Sequence, residues 1–320
     1  MPNLHDILDA DVLPSLPAVA LKVLSCSSDD DIDDLARIIA QDPPLSARVL
    51  KIANSPFYSP TMPVGNIKRA ITLLGYRLVR ALSLAFSLVP SQTTLDFTLF
   101  WEHALATAVG ARRILTTTNP RHAGEGFTAG LLANIGVFLL AGAKPLNYRA
   151  ILVGCERMHV DPIRLEREIF GFDHVALGEA AAQRWRFPQS LQAVIAHHHD
   201  PTRFMGDPVI EDIVQSVHIA SIIAGAIHSP CPNTAKESFL VATQQFPHLS
   251  EIRFDEVMVE VERETGEIAA WMGIGAGGKG PPCEGMLQAA NKRLVTINGE
   301  FEEVVQWIRR TQLCLVRSRG

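Results

Sequence analysis

Apolar residues recur at three- and four-residue intervals along nearly the whole chain, and the strict alternation of a half-buried strand is hard to find. In "DDDIDDLARIIAQDPP", Leu35, Ile38 and Ile39 share one face, Asp31 is the N-cap candidate, and Pro43 and Pro44 stop the helix. "PPLSARVLKIANSPFYSP" restarts on proline, which suits a first helical turn, with Leu45, Val49, Leu50 and Ala53 as its stripe. "NIKRAITLLGYRLVRALSLAFSLV" reads as two helices hinged at Gly75. A longer helix is predicted from Phe100 over "FWEHALATAVGARRIL". "FTAGLLANIGVFLLAG" follows, framed as an apolar helix (Ala129, Leu131, Leu132, Ile135) with a glycine turn at Gly136. "YRAILVGCERM", "DPIRLEREIFGFDHVALGEAAAQRWRF", "PQSLQAVIAHHH" and "PVIEDIVQSVHIASIIAGAI" are also helical, as is "FDEVMVEVERETGEIAAWMGI". About ten helices joined by short connections predict an all-α protein.

The tail reads differently. "GAGGKGPPCEG" is a glycine/proline linker, and residues 285–320 hold a helix or helix pair that packs on the body or pairs with a second copy. Composition adds bounds. With 47% apolar and 20% charged residues, the chain can bury a real core. A net charge of −5 gives no overall basic field for nucleic acid. Five scattered cysteines without a CxxC argue against a disulfide framework or zinc ribbon and favour a reducing compartment. The first residues lack a signal-peptide pattern, and the apolar run near "ALSLAFSLVP" is too short to span a bilayer. The expectation is a soluble, cytoplasmic protein without a membrane partner.

Two apparent motifs dissolve on inspection. "GIGAGGKG" has phosphate-loop spacing, but a helix precedes it, Gly280 takes the hydroxyl position and two prolines follow, so it reads as linker. The pair hinged at Gly75 has a helix-turn-helix outline, yet Leu78, Val79, Leu82, Leu84 and Phe86 make its second helix too apolar for DNA recognition. The histidines carry more. His103, His174, the run His197–His199 and His218 lie on separate helices. A lone helical histidine is usually a hydrogen-bonded core residue, whereas several converging in one bundle are how a metal site there is built.

At this point the chain resembles a known family. "LPSLPAVALKVL", "IAQDPPLSARVLKIANSPFYSP" and "IKRAITLLGYRLVRAL" resemble the N-terminal half of HDOD domains, bacterial regulatory relatives of HD-type metal-dependent phosphohydrolases. "FWEHALATA", "TAGLLANIG", "FGFDHVALGEAAAQRWRFP" and "VIAHHHDP" resemble the second half. The likeness runs unbroken over about residues 13–225. It implies a two-lobed helical bundle: an N-terminal lobe over 1–96, an HD-like lobe over 97–235, an additional packing helix over 236–272, the linker over 273–284 and a signalling-type helix over 285–320. Residues 285–318 also resemble the helix that joins such domains to a GGDEF diguanylate cyclase.

The resemblance also locates a site. In HD phosphohydrolases the stretch similar to "GLLANIG" carries the His-Asp doublet whose Asp bridges two metals; Ala133 and Asn134 stand there. A late Asp ligand corresponds to Ser221 in "VHIAS", while His103, His174 and His198 match positions that bind metal in some HD enzymes. A two-metal site relies on carboxylate charge, so no metal, cofactor or catalysis is expected. A lone zinc would need the remaining histidines to converge, and would find no anionic ligand or base. The implied role is regulatory, through protein–protein contacts in two-component or cyclic di-GMP circuits, with Asn54 and Phe57 as interaction candidates and a homodimer through the C-terminal helix conceivable. The alternatives are a residual phosphohydrolase or phosphodiesterase, or a nucleotide-type sensor using the vacated site.

Overall fold

The computed structural model describes residues 18–26, 32–54, 62–88, 95, 97–158, 160–227 and 232–272. Every regular element among them is a helix, as the apolar spacing predicts. Asp31, Phe57, the linker at 273–284 and the helix expected at 285–320 lie outside the described residues.

The first lobe holds α1 (Ala18–Ser25), α2 (Ile32–Ala40), α3 (Pro43–Ala53), α4 (Ile67–Leu74) and α5 (Tyr76–Leu88). The prolines that stop α2 open α3: Asp42 accepts a hydrogen bond from the Leu45 N–H at 3.0 Å, satisfying a donor the first turn leaves free. Gly75 adopts φ +90°, open to glycine but costly for other residues, and lets α5 begin one residue after α4 ends. α5 buries Val79, Leu82, Leu84 and Phe86, and Tyr76 donates from its hydroxyl to the Cys26 carbonyl at 2.9 Å, tying α5 to the end of α1.

The second lobe is built around α6 (Thr98–Thr118), against which α7 (Ala123–Leu132) and α13 (Pro208–Ile227) pack. Between them come α8 (Ile135–Ala143), α9 (Pro145–Met158), α10 (Pro162–Phe170), α11 (His174–Arg184) and α12 (Gln189–His197). A chain of rings crosses the junction of the lobes: Phe86 lies 5.4 Å from Trp101, Trp101 5.2 Å from Phe138, and Phe100 5.7 Å from Tyr148. Such tilted ring pairs each add about 0.5–1.5 kcal/mol beyond burial.

Two expectations need correction. The apolar stretch 127–142 is two helices, broken at Ala133–Asn134, and Gly136 sits inside α8 rather than in a turn. The residues on both sides of the break are buried, so periodicity carries no trace of it. The segment 236–272 holds two helices instead of one: α14 (Pro232–Gln245) and α15 (Phe254–Met272), with the boundary drawn at 235 falling inside α14. α14 buries Phe239, Ala242 and Phe246 but also exposes Leu240 and Val241, which blurs its stripe in the sequence. α15 packs on α6, α13 and α3, so it touches both lobes; Arg112 and Arg113 of α6 pair with its Glu264 and Glu260. By length and composition alone, 120–143 and 208–227 could cross a membrane; 72% and 50% of their apolar windows are buried inside the protein.

Candidate functional site

The local sequence around His174 dictates its setting. Gly171 in the left-handed conformation ends α10, and Asp173 caps α11 by accepting from the Ala176 N–H at 2.8 Å. Arg167 grips the same Asp173 carboxylate at 2.6 Å. His174 therefore opens α11, where its main-chain N–H has no helical partner. Glu166, fully buried on α10, takes that N–H at 2.8 Å and also accepts from the ring Nδ1 at 2.7 Å. Tyr148 of α9 donates to the other Glu166 oxygen at 2.7 Å. α8 closes the arrangement: a Cβ on Gly136 would lie 1.8 Å from the His174 carbonyl oxygen, so only glycine allows this approach. Nδ1–H of His174 donates to that carboxylate, and Nε2 lies on the far side of the ring from Glu166.

The end of α12 supplies two more imidazoles. His198, 1% exposed, sets Nδ1 3.2 and 3.1 Å from the Val194 and Ile195 carbonyls and Nε2 3.0 Å from the Asn134 side-chain oxygen, so both ring nitrogens face acceptors and the tautomer decides which one donates. His199 brings its Nε2 to 3.0 Å from His174 Nε2. His218 donates from Nδ1 to the His198 carbonyl at 2.7 Å, and His103 Nε2 lies 3.4 Å from the Ser221 hydroxyl. Ala133 is buried beside Asn134 and offers no polar side-chain atom.

Burial and mutual proximity set the charge states. Burial, then the neighbouring His199 and His174, hold His198 well below the ordinary imidazole range. His199 is pushed down to about 4 by desolvation and then by His174, although part of the residue reaches solvent. His218 is lowered chiefly by burial. Burial alone would raise Glu166, but the hydrogen bonds and charge of His174 and the Tyr148 hydroxyl outweigh it and hold the carboxyl low. Burial thus keeps His198, His199 and His218 uncharged at neutral pH, beside the ionised Glu166 carboxylate.

Of the residues singled out in the sequence, the structure brings His174, His198 and Asn134 together and places Ala133 beside them. His103 and Ser221 form a neighbouring pair. Asn54 lies elsewhere: its amide bonds the Leu50 and Val64 carbonyls and the Val64 N–H, closing the chain between α3 and α4. Glu166 and Tyr148 were not singled out in the sequence, where Glu166 looks like any other acid in "RLEREIF"; His199 was read only as part of the "HHH" run, and Gly136 only as a turn. A cleft of about 500 Å³ between α6 and α15, lined by Arg112, Arg113, Glu256 and Glu260, contains none of these histidines.

A centre of two hard cations requires facing carboxylates. The groups facing the ring nitrogens here are imidazole and amide, the nearby pair adds a hydroxyl, and Glu166 is turned onto the back of His174. The residues present do not fit such a centre.

Comparison with known proteins gives a consistent family. The HDOD domain model matches residues 13–201. An uncharacterized protein of Treponema pallidum (strain Nichols) is 26% identical over 196 residues, 59% of this chain; the chain spans only 38% of that relative's length. An HDOD domain protein of unknown function from Geobacter sulfurreducens superposes with a TM-score of 0.64 at 23% identity, covering 84% of this chain and 95% of that one. A Shewanella amazonensis SB2B protein, provisionally assigned as a phosphohydrolase, gives the same TM-score and identity over 84% and 100%. A Marinobacter aquaeolei VT8 protein, provisionally assigned to signal transduction, gives 0.62 at 20% over 86% and 61%. At these identities the structural likenesses establish the fold.

Proposed function

The chain belongs to the HDOD family, and from that premise we propose that it is a non-enzymatic regulatory domain working through protein–protein contacts in bacterial signal transduction. The observation that carries this reading is the neutrality of the groups around the histidines. Asn134 meets His198 with an amide, Ser221 meets His103 with a hydroxyl, and Ala133 is a buried methyl. Hydrolysis of a phosphoester by metal-generated hydroxide needs cations held by negative charge and a base to take a proton. Glu166 is the ionised carboxylate in direct contact with the cluster, and its oxygens are committed to His174 and Tyr148. It braces a side chain and faces no substrate position.

The wider role follows the family's regulatory character: a cytoplasmic component of a two-component or cyclic di-GMP circuit, with a protein partner or a second copy engaged through residues 285–320. Light scattering on the full chain and affinity capture from a bacterial lysate test this. Self-association or a reproducible partner is the expected result, with no turnover of nucleotides or cyclic dinucleotides under manganese, iron or magnesium. Metal-dependent turnover abolished by His103→Ala would overturn it.

A further inference from the structure

We propose that α15 is a releasable strap: the Glu264 carboxylate, held by Arg112 and Arg113, docks it across both lobes, and it detaches as a unit that passes the movement to the chain beyond Met272. α15 follows the stretch that the family model matches, and it packs on α6 and α13 of the second lobe and on α3 of the first. Phe254, Val261, Ile268 and Ala269 give it an apolar inner face, but Glu264 and Thr265 sit in the middle of that face, 1% and 6% exposed. Glu264 pairs with Arg112 and lies 3.7 Å from Arg113, which also pairs with Glu260. The arginine side chains stay 25% and 30% exposed, so the anion is inside and its counterions are at the edge.

That arrangement fixes a position without adding much net stability. Taking a carboxylate and a guanidinium out of water costs about as much as their attraction returns, whereas leaving the acid buried without its partner is strongly unfavourable. α15 therefore docks in one register, with Glu264 on its arginines, or is released into water, where all the charges are solvated. Thr265 tips the balance toward release: its buried hydroxyl has no hydrogen-bond partner among the described residues, a cost that water removes. Where the three helices cross, Val261 meets Gly110 of α6, and a Cβ on that glycine would lie 3.0 Å from the Cβ of Ala220 on α13, so the contact is made by small groups. The other connection between the lobes is of the opposite kind: the rings of Phe86, Trp101 and Phe138 pack on one another without a charge among them. It holds the lobes together when the strap is off. Local opening draws on the segments with the least favourable packing, and α15 is such a segment. As a mechanism of regulation the strap rests on the regulatory reading; as a moving part it does not.

Hydrogen exchange of the full chain under native conditions, read by mass spectrometry of its peptides, tests the strap. Residues 254–272 should exchange together, and at least about tenfold faster than the amides of α6 and α13. Arg112→Met, which leaves Glu264 with only the more distant arginine, should speed that exchange by at least about tenfold more and leave α13 unchanged. Replacing the network by apolar groups, in Arg112→Met/Arg113→Met/Glu264→Leu, should instead slow it by about tenfold, because the burial penalty goes with the charges. Arg253→Ala breaks an exposed pair with Glu256 at the start of the same helix and should change the rate less than about twofold. Circular dichroism checks that each variant is folded, and the natural chain decides the matter where one is not. An α15 that exchanges at the pace of α6, acceleration of α6, α13 and α15 together in Arg112→Met, faster opening of the apolar triple variant, or an equal effect of Arg253→Ala would each overturn the strap. Metal-dependent turnover, by contrast, removes the regulatory reading and leaves the exchange pattern standing.

Discussion

On the side of the histidine cluster formed by α10 and α11, a buried carboxylate, a tyrosine hydroxyl and a helix N-terminus lock one imidazole in place. On the side formed by the α7–α8 break, a methyl, a carboxamide and an imidazole nitrogen meet without a formal charge. Only the first commits an ionised group to its geometry. The difference shows that orientation and charge are separable in such a site. The first side keeps the carboxylate that orients an imidazole, and the second sets an amide and a methyl beside another.

Mutations can break this contrast at its strong end. Glu166→Ala would strand the Tyr148 hydroxyl and both N–H donors of His174 in the core. A loss of about 3–5 kcal/mol in unfolding free energy is expected, read from the urea midpoint. A value under about 1 kcal/mol would mean the carboxylate is dispensable to the fold. Gly136→Ala attacks the same side through sterics. Its Cβ must push α8 from the His174 carbonyl, costing about 1–3 kcal/mol and loosening His174 without changing any polar group.

Acid tests the cluster as a whole. The folded-state affinities of His198, His199 and His218 for protons are depressed relative to the unfolded chain, so unfolding takes up protons between the two values. Their contribution is complete above the unfolded value near 6.5 and is lost as pH falls toward the folded values, about 4 for His199. Glu166, also depressed, adds a loss of the same sign below the ordinary carboxylate range. The urea midpoint should fall steadily from pH 7 to 4, by at most about 1.4 kcal/mol per pH unit for each histidine. A flat profile would contradict the burial of the rings. The mildest change in stability, and the one that sharpens the contrast most, is Asn134→Asp. A carboxylate beside His198 Nε2 should draw a proton onto that ring near neutral pH, visible in its nitrogen chemical shifts, with stability changed by less than about 1 kcal/mol.

Legibility in the sequence varied with how local the signal was. The helical class, the stop and restart at Pro43–Pro44 and the hinge at Gly75 are set by residues a few positions apart, and the structure keeps all three. The break at Ala133–Asn134 was invisible because apolar residues surround it on every face, and α14 was missed because its stripe is blurred by Leu240 and Val241. At the site, the histidines stood out by residue type. The role of Glu166 did not, since an acid in a charged helix looks solvated until the packing of α9 and α11 buries it.

Composition and periodicity by themselves determined that this chain buries helices, and its quoted strings determined the family they resemble. Which rings meet was decided only by the tertiary structure: His174 and His199 are 25 residues apart, and Asn134 and His198 are 64 apart. Helical propensity and capping act over one or two turns, so sequence can display them. Tautomer, burial and the direction of a lone pair depend on neighbours delivered by other helices, and these exist only once the bundle has closed.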